Sequence, residues 1–334
     1  MKPKLFVKKS SLLACLILGI STYGLSQTDS LKVSAGIYSE WYYVQAEQGQ
    51  KSPIFYNHTT TQQPALNLGI LDFAAEHKRW SLQSAFMLGT YAQKNLAAEP
   101  EFWRHVYQLS IQYQLNQSNQ LQVGIFPSHI GLESAKNLDN DLFSRSYLAE
   151  NSPYYETGIA WNYTPKSPFS LRVLALSGWQ QIAKFNPALG TQFGYSSSSG
   201  LKINASQFFG NQGKGTRVFF NQYVQIPISA NWSGTMGWDV GLESGNTWHG
   251  GLMYLTWRPA SKLRLSGRLE YYSDPHGVIM PMAFEDVARS FAIDYALNKK
   301  ILLRSEAKNS NKFGSEILFG LIFNATLAAK YQAH

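Results

Sequence analysis

The charged residues of this sequence fall into two sets with different spacing. Lys262, Arg264, Arg268 and Glu270, with Arg304 and Glu306 further on, recur at even separations. Only a strand, whose side chains point to alternate faces, puts such a set on one surface. Glu133, Lys136, Asp139, Asp141, Arg145 and Glu150 instead lie in an irregular run, Gly131–Tyr154. A basic surface facing a loop of mixed charge would create a transverse field, which screens solutes by charge and dipole. Residues for covalent chemistry are scattered. Seven histidines show no HExxH, HxH or Cys/His spacing, so no metal centre and no cofactor site is expected. Gly210–Thr216 has the wrong glycine spacing for a phosphate loop and precedes a strand pattern, so it reads as a turn. Asp274-Pro275-His276-Gly277 reads as a turn rather than a calcium site. Ser81, His105 and Ser206 show no arrangement for a hydrolase, and no enzyme is expected.

The elements that must hold these residues are strands. From Lys262 to Tyr272, Lys262, Arg264, Ser266, Arg268 and Glu270 alternate with Leu263, Leu265, Gly267, Leu269 and Tyr271. Gln112 and Gln114 oppose Ile111, Tyr113 and Leu115, and Gln120 and Gln122 oppose Leu121, Val123 and Ile125. Arg304, Glu306 and Lys308 oppose Leu303 and Ala307 in the same way. About sixteen such segments follow one another, from 31–43 and 65–76 through 80–91 and 103–115 to 314–324, with no helical pattern of convincing length between them. Connections alternate between short ones, such as His77-Lys78-Arg79 and Asn298-Lys299, and longer ones, such as 44–64 and 131–154; those at 244–246 and 309–313 break the contrast. This predicts an all-β, up-and-down antiparallel transmembrane barrel, with tight periplasmic turns and longer extracellular loops. Charged residues are only 15% of the chain, against about 25% in soluble domains. An outer face on lipid accounts for the deficit. Trp41, Tyr42, Tyr43, Trp80, Trp103, Tyr154, Tyr155, Trp161, Tyr163, Trp179, Trp232, Trp248, Trp257, Tyr271 and Tyr272 lie near segment ends, as interfacial girdles require. The other reading makes them core aromatics of a soluble β protein.

Residues 1–26 read as a cleaved signal peptide, with Lys2, Lys4, Lys8 and Lys9 before the apolar run Leu12–Ile20 and Gly24-Leu25-Ser26 at the cut. Acylation at Cys15 is the rival reading. The barrel then occupies 27–334, without cysteine, and carries 25 basic and 21 acidic residues, too small an excess for nucleic-acid binding.

In loop 131–154, Leu138, Leu142, Phe143 and Leu148 are apolar, which predicts that the loop packs against something. Folded into the lumen it would constrict a pore, its charges facing Arg264, Arg268, Arg304 and Lys308 across the channel. The modestly cationic wall predicts anion preference, unless the loop acids dominate the narrowest point. At this loop the chain also resembles a known family. Gly131-Leu132-Glu133, Arg145-Ser146-Tyr147, Gly158 in YYETGIAWNY, and Ser177-Gly178-Trp179 with Asn186-Pro187-Ala188-Leu189-Gly190 are similar to the OmpL-like β-barrel porins of the Bacteroidetes. The resemblance is strongest over 120–210; Asn commonly precedes Gly-Trp in that family, where this chain has Ser177. It implies a barrel in the outer membrane of a Gram-negative bacterium. The expected partners are membrane lipid and small hydrophilic solutes or ions, with homo-oligomers compatible. A passive porin is the leading expectation. The alternatives are a solute-specific channel or receptor, using Trp41, Tyr42, Tyr43, Phe55 and Tyr56 as stacking surfaces, and a plugged structural barrel. The segment after Phe323 reads either as a longer last strand reaching Tyr331 or as a periplasmic tail.

Overall fold

The computed structural model describes residues 30–47, 55–213 and 215–332; the leader read over 1–26 lies outside them. Eight strands form the first half: β1 (Ser30–Ala46), β2 (Ala65–His77), β3 (Trp80–Leu88), β4 (Val106–Gln114), β5 (Asn119–Pro127), β6 (Tyr155–Tyr163), β7 (Phe169–Leu176) and β8 (Ala188–Ser196). Eight more follow: β9 (Lys202–Asn211), β10 (Thr216–Pro227), β11 (Trp232–Glu243), β12 (Asn246–Ala260), β13 (Leu263–Asp274), β14 (Phe284–Asn298), β15 (Ile301–Ser310) and β16 (Gly314–Gln332). Each pairs antiparallel with its neighbours in sequence, and β1 pairs with β16 to close the barrel. Closure leaves no sheet edge, so every strand meets the bilayer's demand that backbone polar groups be satisfied internally.

Period-two alternation decides what each strand presents. Leu71, Ile111, Val123, Leu269, Ile293 and Phe319 lie on the outer face and are exposed, as lipid contact requires. Around the short turns, aromatic pairs form a belt on that face. Trp80 and Tyr113 lie 4.5 Å apart, Phe169 and Tyr195 5.1 Å, and Trp232 and Trp257 stack at 5.5 Å. Other expected girdle members point inward instead: Tyr42, Tyr154, Tyr155, Trp248 and Tyr272 are buried inside the barrel. Height along a strand does not fix the face; odd or even position does. Trp248 and Trp179 flank the Arg217 guanidinium at 5.5 and 4.7 Å, which is an interior role.

Most strand boundaries shift by a few residues from those read in the sequence, and two of the differences are instructive. Strand β3 stops at Leu88, short of 91, and a six-residue helix (Thr90–Asn95) follows; another single turn covers Tyr147–Glu150. Helices this short show too few periods to be read from hydrophobic spacing. At the other end, β16 runs on to Gln332, pairing Tyr331 with Leu31, so the longer last strand is the form observed.

Gly124 and Gly158 face each other across β5 and β6. Gly124 has φ 127°, and a Cβ there would lie 2.2 Å from the Leu109 carbonyl oxygen. Both backbone strain and contact exclude a side chain. Gly124→Ala is therefore expected to destabilise the barrel by about 1–3 kcal/mol, seen as a lower urea midpoint in detergent. A midpoint equal to that of the parent protein would contradict this reading.

Candidate functional site

The connection between β5 and β6 folds into the barrel. Leu142, Phe143, Tyr147 and Leu148 are buried there, which is where the apolar residues of the loop find their partners. The wall makes room for them with glycine. A Cβ on Gly320 would lie 2.4 Å from the Phe143 ring, and one on Gly250 would lie 2.9 Å from Leu148. Phe55, from the first long connection, stacks on Tyr147 at 5.7 Å. Leu138, at the loop's far end, remains 36% exposed.

The loop has little secondary structure, so its backbone groups need partners inside the lumen. The charged wall supplies them. Arg268 donates to the carbonyl of Ser144 at 2.9 Å and of Arg145 at 3.2 Å. Arg304 donates to the carbonyls of Leu142 and Asn140 at 2.8 Å each and of Asn137 at 3.0 Å. Glu306 accepts from the amides of Phe143 and Ser144 at 2.5 and 2.9 Å, and Glu270 from that of Tyr147 at 2.6 Å. Arg264 reaches Asp141 and the Asn140 carbonyl, each at 2.9 Å.

Five of the six expected wall residues thus converge on the loop. The sixth, Lys262, sits exposed in the turn between β12 and β13 and does not join them. The loop residues divide. Asp141 is held by Arg264, Thr256 and Arg258. Glu133 accepts from Tyr254, from the Ser146 amide at 2.9 Å and from Arg268 at 3.4 Å. Burial pushes its carboxyl above the ordinary range, against the pull of Arg268 and Arg145. Arg145 is buried and donates within the loop, to the Ala135 carbonyl at 2.7 Å. Glu150 binds the first connection, accepting from the Tyr56 amide at 2.8 Å and Asn57 at 2.9 Å. Lys136 and Asp139 lie on the other side: the Lys136 ammonium sits 5.6 Å from the Tyr107 ring centroid, and Asp139 accepts from Ser134 at 3.2 Å.

This corrects the expectation of a gap between loop acids and basic wall. The two touch, because unpaired loop amides and carbonyls are costlier to bury than the salt-bridged contacts that satisfy them. Three of the five aromatics expected as stacking surfaces are corrected as well, while Tyr56 remains exposed. Trp41 faces outward, Tyr42 is buried, and Phe55 is committed to Tyr147.

Open space lies elsewhere. A cavity of about 380 Å³ separates the loop from β4 and β5, bounded by Tyr107, Gln108, Glu133, Lys136, Asp139 and Tyr154. A second, of about 600 Å³, lies toward the short-turn end around Leu138, Arg258, Arg264, Asp294 and Leu302.

Among the inward carboxylates that sequence reading missed, two stand out. Asp294 bridges Arg264 and Arg304. Glu40 is fully buried and gathers Tyr38 at 2.6 Å, His58 and Asn67 at 2.8 Å, and Asn137 at 2.7 Å. Both were visible in the same alternation, in Tyr38-x-Glu40-x-Tyr42 and in Asp286-x-x-x-Ser290-x-x-x-Asp294. Elsewhere Asp274 caps the amides of Val278, Ile279 and Met280 at 2.8–2.9 Å, in keeping with a structural turn. Ser81, His105 and Ser206 bond to Gln112, the Met87 carbonyl and the His129 carbonyl respectively, so they do not meet.

Glu306→Ala strands two loop amides, at about 1–3 kcal/mol each. Amide exchange over 140–147 is expected to quicken tenfold or more, with β3–β5 unchanged. Unchanged exchange in the loop would show that the contacts do not hold it.

The comparisons with known proteins agree with this architecture. The family model described as "Putative beta-barrel porin-2, OmpL-like" matches residues 31–321. No curated protein matches the chain. Among solved structures, OmpF of Salmonella typhi in complex with daunomycin is similar at TM-score 0.61 and 8% identity, covering 90% of this chain and 99% of its own. OmpT of Vibrio cholerae gives 0.58 and 9%, covering 90% and 99%. A Rh. blastica porin mutant gives 0.56 and 11%, covering 88% and 100%. Identities this low carry the fold alone. The family match runs from the first strand into the sixteenth, and the chain belongs to the OmpL-like β-barrel porin-2 family of the outer membrane.

Proposed function

We propose that loop 131–154 is a fixed constriction in a passive channel for small hydrophilic solutes and ions. The observation that carries this is the set of contacts from Arg268, Glu270, Arg304 and Glu306 to the loop backbone, which press the loop onto one wall. Solutes then pass on the other side, between the loop and β4–β5, where the 380 Å³ cavity lies. The charged residues lining that space are Lys136, Asp139 and Glu133, the last already held by Arg268 and Tyr254. Ion selectivity is therefore weak, and the anion preference expected from a bare basic wall loses its premise, because the wall's own Asp294 and Glu270, with loop acids Asp141 and Glu133, pair its cations.

One observation favours a second reading, a plugged barrel. The loop side chains Phe55, Leu142, Tyr147, Leu148 and Met280 join wall residues in a single apolar cluster inside the barrel. Planar-bilayer recording separates the two. The channel reading expects steps on the order of a tenth of a nanosiemens or more for an open barrel of this size, with a reversal potential near zero in a potassium chloride gradient. Folded protein that gives no steps supports the plug and contradicts the channel.

A further inference from the structure

The wall opposite the loop carries a different chemistry. Strands β3, β4 and β5 contain no charged residue at all. Their inward positions are instead rich in amides, among them Gln83, Gln108, Gln112, Gln120 and Gln122. Strand register sets these in rungs: Gln112 is opposite Ser81 on one side and Gln122 on the other, and Gln120 is opposite Gln114 and Asn162. The side chains form a connected network. Gln120 Nε2 donates to Gln112 Oε1 at 3.1 Å, Asn162 Nδ2 to Gln120 Oε1 at 3.3 Å, and Gln122 Nε2 to Ser110 Oγ at 3.1 Å. Gln108 donates to Gln83 at the top of the same wall, beside the cavity under Lys136.

A primary amide offers two N–H donors and two oxygen lone pairs. The network uses only part of that capacity. Among the described residues, Nε2 of Gln83 and of Gln112 donates no hydrogen bond. Such a surface exchanges water for a solute hydroxyl at little cost, since donors and acceptors of both kinds remain available. Charge touches it at one end only, where Arg172 of β7 donates to Gln122 Oε1 at 3.0 Å, so along Gln83, Gln108, Gln112 and Gln120 an ion finds no counter-charge in return for its lost hydration. The adjoining cavity, about 380 Å³, also presents the Tyr107 ring, and falls in the ~300–1,000 Å³ range of small-molecule sites. Apolar ring faces beside amides suit the mixed surface of a sugar.

We infer that the amide wall of β3–β6 is a track that favours uncharged polyhydroxylated solutes of sugar size. This rests on the channel reading and names its solute class. Proteoliposomes in potassium chloride, which dissipates membrane potential, test it through efflux of labelled glucose, gluconate and glucosamine. Glucose is expected to leave at least threefold faster than either charged analogue. The paired change Gln112→Leu with Gln120→Leu is expected to slow glucose at least threefold, with potassium chloride conductance kept within twofold. Equal or faster efflux of the charged analogues overturns the inference, and so does glucose efflux unaffected by the leucines in folded barrels. If the leucine pair does not fold, Gln112→Glu serves: glucosamine should gain at least threefold over gluconate, and an unchanged ratio counts against the track. Absence of potassium chloride conductance from folded parent protein is a separate result, which removes the channel reading itself.

Discussion

Irregular backbone inside a barrel can persist only if its amides and carbonyls find partners, and this one constraint organises the lumen. Arg268 and Arg304 take loop carbonyls while Glu270 and Glu306 take loop amides. Hydrogen bonds to charged groups contribute about 1.5–3 kcal/mol each, and an uncompensated buried charge costs several more. The dependence is mutual. Without the loop, four ionised side chains would face one another and water; without the wall, the loop would have no reason to remain at membrane depth. Fixing the loop in this way makes the lumen asymmetric, with most of its charges paired on one side and open space beside the amides of β3–β5 on the other.

The same economy extends to the first long connection. Glu150 of the loop accepts from Tyr56 and Asn57, and Glu40 of β1 gathers His58, Asn67 and Asn137. One buried carboxylate therefore ties the first connection, β2 and loop 131–154 together. Asn67 reaches it because β2 slips register between Leu66 and Leu68, leaving Asn67 unpaired and turned inward beside Leu68. Glycine supplies the remaining fit, as at Gly320 beneath the Phe143 ring.

Most of the barrel was legible in the sequence because strand period and turn spacing are local signals. Lys262–Tyr272 announced its two faces by alternation alone, and β11 was placed at 232–243 to the residue. What stayed hidden was long-range. Alternation put Arg264, Arg268 and Arg304 on the inner face but could not say whether water or a loop would cover them. The apolar Leu142 and Phe143 signalled packing without naming the wall. Trp248 and Tyr272 lie near turns, as girdle residues do, but their parity along the strand turns them inward. Glu40 carries the same spacing signal, but an isolated acid among tyrosines does not stand out as a charged patch.

Cysteine accessibility during bilayer recording tests the central claim most directly, because the only native cysteine, Cys15, lies in the segment read as the leader. Thiols would be placed singly at Gln112 on the amide wall and at Ser266 or Ser290 beneath the loop. A water-soluble methanethiosulfonate should react quickly at position 112 and lower the conductance stepwise, leaving 266 and 290 unmodified. Equal reactivity on both walls would mean that the loop does not rest where the structure has it, and would contradict the account.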